Sequence, residues 1–246
     1  MKNLTRYTIA VIAAAVLACG VAASAQDLTA FQVMDRVRDN WQGEAFHGTV
    51  TLDVTQGGTT RSYRVEVWSQ GEGLGLIRFL APEADAGSGY LMLDEELWYY
   101  APAAGKAVSL PAMALGDSLF GSGPAIEDLL HGTLSDKYTA TMVHDGTDYV
   151  LTLTPLPEAP VVYGSLVVRV REDFAPVSIV YNDQRGAVLR TARFSEYVTQ
   201  DDRILPTLIE VEETNGDRTV ERLVDPEFGI AIPASVFTVE NLEAGQ

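Results

Sequence analysis

The stretch FHGTVTLDVTQGGTTRSYRVEV, Phe46 to Val67, carries the reading on which the fold turns. Phe46, Gly48, Val50, Leu52 and Val54 alternate with His47, Thr49, Thr51, Asp53 and Thr55. A period of two sends one set of side chains to one face of a strand and the other set to the opposite face, so this is a half-buried strand. Gln56-Gly57-Gly58-Thr59 then supplies a hairpin turn, after which Tyr63, Val65 and Val67 alternate with Arg64 and Glu66. Two antiparallel strands sharing one core follow.

Toward the C-terminus the alternation recurs at Tyr138, Ala140 and Met142, at Tyr149, Leu151 and Leu153, and at Leu166, Val168 and Val170. It continues through Val177, Ile179 and Tyr181, around Arg193-Phe194, from Ile204 to Glu213 and from Arg218 to Val224, with turn signals such as Asp145-Gly146 and Asn215-Gly216 between. The pattern predicts about eleven strands in one long antiparallel meander. A twisted sheet of that width curls toward a barrel, and its dry face becomes concave. The fold class expected is therefore mainly β with a few helices: an incomplete antiparallel barrel whose concave apolar face is covered by helices. Two segments are candidates for that cover. Leu28, Phe31, Met34, Val37 and Trp41 lie close to helical spacing, and the run from Pro111 to Gly132 holds Met113, Leu115, Leu119, Phe120, Ile126, Leu129 and Leu130. The closely spaced glycines Gly71, Gly73 and Gly75 read as a turn, because no strand-to-helix context makes them a phosphate loop.

The chain opens with Lys2 and Arg6, an apolar run from Ile9 to about Ala18, and Ala23-Ser24-Ala25. This is the pattern of a secretory signal peptide, cut after Ala25; the run is short of the roughly 20 residues that span a bilayer. A rival reading makes Cys19 a lipidated residue. Residues 1–25 are thus expected to be a signal peptide and 26–246 a single domain. Cleavage removes two bases and no acid, so the remaining chain is more acidic still than the −17 of the whole. Such a surface argues against nucleic acid or an anionic membrane as partner. Cys19 is the only cysteine, so an exported domain would rely on its core rather than on disulfides.

In GYLMLDEELWYYAP, Gly89 to Pro102, two short strands surround an acidic turn. Either two-residue turn there puts Leu91, Leu93, Trp98 and Tyr100 on one face, and the simplest reading sets that face under the cover with Met92 and Tyr99 on the other. A plain core accounts for the same cluster; the cover segment, rich in Met, Leu and Gly, suits loose apolar binding. The sequence offers no catalytic constellation. His47, His131 and His144 are scattered without metal-ligand spacing and read as surface or turn residues, and there is no G-x-S-x-G elbow. Carboxylate pairs such as Glu127-Asp128 are what any acidic chain offers. No cofactor, metal or enzymatic activity is expected.

Several of these residues are held in common with a known family. Gly89-Tyr90-Leu91-Met92-Leu93, then Leu97-Trp98-Tyr99-Tyr100-Ala101-Pro102, Phe120-Gly121-Ser122, Glu127-Asp128-Leu129, Ile204-Leu205-Pro206 and Val236-Phe237-Thr238 to Leu242 resemble the periplasmic outer-membrane lipoprotein-sorting family, relatives of the LolA and LolB carriers. Gly123 departs from that pattern, where Asp is usual. The resemblance implies an apolar cavity for acyl chains in a monomeric periplasmic shuttle, with lipoprotein or lipid as cargo, an inner-membrane exporter as donor and an outer-membrane acceptor. A lipid-responsive sensor on the same fold is the alternative. Cavity and lid residues would be Leu91, Leu93, Trp98, Tyr100, Met113, Leu119, Phe120, Ile126 and Leu129. Burying Phe120 would contribute about 1.5–3 kcal/mol to closing such a lid. Phe120→Asp is accordingly expected to weaken retention of an apolar fluorescent probe while thermal unfolding stays close to that of the parent; unchanged affinity would remove the segment from the mechanism.

Overall fold

The computed structural model describes residues 28–41, 43–71, 73–94, 96–111, 114, 137–159 and 161–245. Residues 1–27 and most of the Pro111 to Gly132 stretch lie outside them. Helix α1, Ala30–Trp41, comes first, followed by strands β1 (Ala45–Gln56), β2 (Thr59–Gln70), β3 (Leu74–Ala81), β4 (Gly89–Leu93), β5 (Glu96–Tyr100) and β6 (Val108–Leu110). Strands β7 (Tyr138–Asp145), β8 (Asp148–Pro155), β9 (Ser165–Val170), β10 (Pro176–Asn182), β11 (Val188–Gln200), β12 (Arg203–Glu213) and β13 (Arg218–Phe228) follow, and helix α2, Val239–Ala244, comes last.

All thirteen strands form one antiparallel sheet in the order β6-β5-β4-β3-β2-β1-β13-β12-β11-β10-β9-β8-β7. The sheet is open, with β6 and β7 at its edges, as an incomplete barrel requires. The hairpin read first in the sequence is present in full register, Gln56 facing Thr59 and Val50 facing Val65. Gly57 and Gly58 take φ of 54° and 80°, the left-handed region that a tight two-residue hairpin turn demands at both central positions.

Two strands escaped the expected eleven. β3 was hidden because it is buried on both faces: Leu76 and Ile77 are adjacent, point to opposite sides and are both inaccessible to water. Its sequence is an apolar run broken only by buried Arg78 rather than an alternation, and period-two reading passes over it. β6 has three residues, too few for any period.

Following partner residues across the sheet shows that one face is continuous from edge to edge. Val54 faces Thr219, which faces Val211, then Ala192, Ile179, Val168 and Leu151. In the other direction Val67 faces Ile77, then Tyr90 and Tyr99. This inner face also carries α1. Ala30, Val33 and Val37 of the helix are buried in one cluster with Leu151, Val168 and Tyr181. The helix begins in a reciprocal cap: Gln32 N–H donates to Thr29 Oγ1 at 3.3 Å, and Thr29 N–H donates to Gln32 Oε1 at 2.8 Å. At its other end Asn40 Nδ2 donates to the Asp173 carbonyl at 3.1 Å, and Arg203 of β12 donates to the Asp39 carbonyl.

Candidate functional site

In the β4–β5 hairpin Leu91 faces Trp98, Leu93 faces Glu96 and Gly89 faces Tyr100. Leu91, Leu93, Trp98 and Tyr100 therefore share a face, as the two-residue turn implied. That face is the outer one. Leu91 and Tyr100 are buried with Leu76, Phe237 and Leu242, and Trp68, Leu93, Trp98 and Val239 pack around them. The expectation that these four lie with α1 on the covered concave face, with Met92 and Tyr99 opposite, is thus corrected. Met92 and Leu97 belong to the cluster of Val50, Leu52, Val65, Val67 and Ile77 on the inner face. Period-two patterning says which residues share a face, and it cannot say which face is inside when both are apolar.

What closes the outer face is the chain's own C-terminal segment. Thr238 caps α2 by accepting from the Asn241 N–H at 3.1 Å, Leu242 is fully buried, and Glu243 accepts from the Ala107 N–H at 2.7 Å. Arg78, 4% exposed, donates to the Asn241 carbonyl at 2.7 Å and lies over the Trp68 ring. Gly89 makes the close approach possible. A Cβ there would stand 2.4 Å from the Ile77 carbonyl oxygen and 3.2 Å from Leu242.

The inner face remains as the surface on which an apolar ligand could lie. On the half formed by β1–β6 it presents Phe46, Val50, Leu52, Tyr63, Val65, Val67, Ile77, Phe79, Tyr90, Met92 and Leu97. The rings of Tyr90 and Tyr99 lie 4.8 Å apart, and Phe79 and Tyr90 are 6.3 Å apart. The other half carries Tyr138, Leu151, Leu153, Leu166, Val168 and Val170 under α1. Polar groups interrupt this surface at β13, where Thr219 is 1% exposed and Glu221 4%. The Thr219 hydroxyl has no hydrogen-bond partner among the described residues. Buried Arg190 lies 4.1 Å from the centre of the Tyr181 ring and 5.3 Å from that of Tyr163.

Met113, Leu119, Phe120, Ile126 and Leu129 lie outside the described residues, as does His131. His144 sits at the end of β7 with its ring 5.0 Å from that of Tyr149. His47 is not in a turn: it stands in β1, held between two carboxylates. Among the described residues no group of three or more His, Cys, Asp or Glu side chains is arranged to hold a metal ion.

A family model described only as an uncharacterized protein matches residues 71–244. The chain belongs to that family. No curated protein matches the sequence. Among solved structures, a Desulfovibrio piger protein of the DUF1329 family is 19% identical, with a TM-score of 0.78 over 86% of this chain and 97% of that one. A protein from Vibrio parahaemolyticus, described as an outer membrane lipoprotein-sorting protein domain, is 19% identical, with a TM-score of 0.76 over 87% and 97%. A LolA superfamily protein from Nitrosomonas europaea is 20% identical, with a TM-score of 0.72 over 86% and 98%. The fold is that of the LolA superfamily, as the sequence resemblance implied.

The packing of α2 on Gly89 gives a direct test of how the outer face is closed. Gly89→Ala places a methyl against backbone and is expected to destabilise the domain by about 1–3 kcal/mol, read as a lower denaturant midpoint with an unchanged slope. A midpoint equal to the parent's would show that neither the Ile77 carbonyl nor Leu242 approaches Gly89 this closely.

Proposed function

We propose that this protein is a soluble periplasmic carrier that takes up acyl chains of lipoproteins or related lipids on the inner face of its sheet and moves them toward the outer membrane. One observation carries the reading: a largely apolar face, interrupted by polar groups at β13, can be followed from partner to partner across the sheet in a fold shared with a lipoprotein-sorting domain. An acyl chain needs apolar area and no directional bonds. Covering a few hundred Å² of it at roughly 25 cal/mol per Å² gives several kcal/mol, enough to hold a lipid and still release it. Among the described residues no helix is long and apolar enough to cross a membrane. The acidic surface keeps the loaded protein from settling on anionic headgroups. An inner-membrane exporter as donor and an outer-membrane acceptor complete the proposal.

Within this reading the β4–β5 hairpin contributes through Tyr90, Met92, Leu97 and Tyr99, whereas Leu91 and Trp98 support it from behind. An apolar fluorescent probe displaced by fatty acid or lipopeptide measures the difference. Tyr99→Lys is expected to weaken probe binding about tenfold, the equivalent of ~1.4 kcal/mol, while Trp98→Ala leaves it close to the parent's. Loss of binding in the Trp98 variant with none in the Tyr99 variant would place the site on the wrong face.

A further inference from the structure

The sheet is two meanders, β1–β6 and β7–β13, and every described strand pairing but one joins neighbours in sequence. The exception is β1 with β13. His47 stands at one end of this seam, beside the irregularity between His47 and Thr49 where the register shifts. Its Nδ1 is 2.9 Å from Glu227 Oε2 on β13, and its Nε2 is 2.8 Å from Glu66 Oε1 on β2. The ring stacks on Trp68, with centroids 5.1 Å apart and planes 17° from parallel. One imidazole thus links three strands and spans 180 residues of sequence.

We propose that His47 is a proton-operated fastener of the β1–β13 seam. Only the imidazolium donates from both nitrogens, so only the charged ring satisfies both carboxylates. Loss of the proton turns one nitrogen into a lone pair aimed at a carboxylate oxygen. Glu227 is the partner that leaves, because its side chain is 60% exposed against 27% for Glu66. The seam then loosens beside a groove of about 470 Å³ lined by Thr49, Gln200, Asp225 and Pro226 as well as by His47 and Glu227.

Other charges stand around this pairing. From β2, Arg64 precedes Glu66 by two positions on the same face. Arg78 of β3 stands opposite Glu66 in register and its cation acts on that carboxylate, while its guanidinium also donates to the Asn241 carbonyl and lies over the Trp68 ring. From β13, Arg222 is bonded to Glu196 at 2.9 Å, and Asp225 adds a further negative charge on the groove. Partial burial of the ring works against its charged form, but the hydrogen bonds and charges of Glu227 and Glu66 outweigh it and hold the imidazole above its ordinary 6.5. A histidine raised in the folded state stabilises fully below the unfolded value and loses that contribution as pH rises through the folded one. The fastener is therefore closed in acid and opens on the alkaline side of 6.5.

The test is a nitrogen-detected NMR titration of the histidines, with thermal unfolding across pH, on the full mature chain and on Glu227→Gln. His47 is expected to titrate above 6.5 in the parent and to move down toward 6.5 in the variant. The parent's melting temperature should exceed the variant's at pH 5.5–6, with the gap closing at higher pH. Titration of the parent's His47 at or below 6.5, an unmoved value in the variant, or a gap of the same size at pH 5.5 and pH 9 would each overturn the proposal.

Discussion

The antiparallel pairing of β1 with β13 is the constraint on which the rest of the structure depends. Each meander could form from its own hairpins, since neighbouring strands close short loops, but neither half alone extends the inner face from edge to edge. The seam sets Val50 against Leu223, Leu52 against Glu221 and Val54 against Thr219. Contacts outside the ladder reinforce it at both ends. Phe46 and Phe228 place their rings 5.4 Å apart near His47, and the Gly57 N–H donates to Asp217 Oδ1 at 3.0 Å at the hairpin end. A pairing this distant in sequence is entropically costly to close, and such contacts offset part of that cost.

The seam also explains how the two faces divide their duties. On the outer side the chain ends by folding α2 onto β3–β5, so that β3 is dry on both faces and the hairpin of Trp98 and Tyr100 is fixed from behind. On the inner side α1 covers the β7–β12 half. The apolar surface of the β1–β6 half thus rests on a rigid back. In the proposed carrier that rigidity serves binding, because each conformation frozen when a lipid lands subtracts from the affinity.

Much of this was legible in the sequence, and the parts that were not share a physical cause. Alternation revealed the hairpin of Val50 and Val65, the run from Tyr138 to Val224 and the antiparallel class, because each of those strands is wet on one side. It missed β3 for want of a wet side. It also placed Leu91 and Trp98 together yet on the wrong face, since Tyr90, Met92 and Tyr99 are just as apolar. The helical spacing at Leu28 to Val37 located α1, although the deepest positions are Ala30 and Val33 rather than Phe31. The signal for His47 was absent altogether: Glu66 and Glu227 become its partners only through the register of three strands, and no local spacing encodes it.

The central claim, that the inner face holds acyl chains, is tested most directly by purifying the protein from the cells that make it, extracting it with organic solvent and identifying bound lipid by mass spectrometry. The account predicts an acylated lipid or lipopeptide present in amounts comparable to the protein, and lost from Tyr99→Lys. Folded protein free of lipid, which takes up none when fatty acid or lipopeptide is added back, would contradict it.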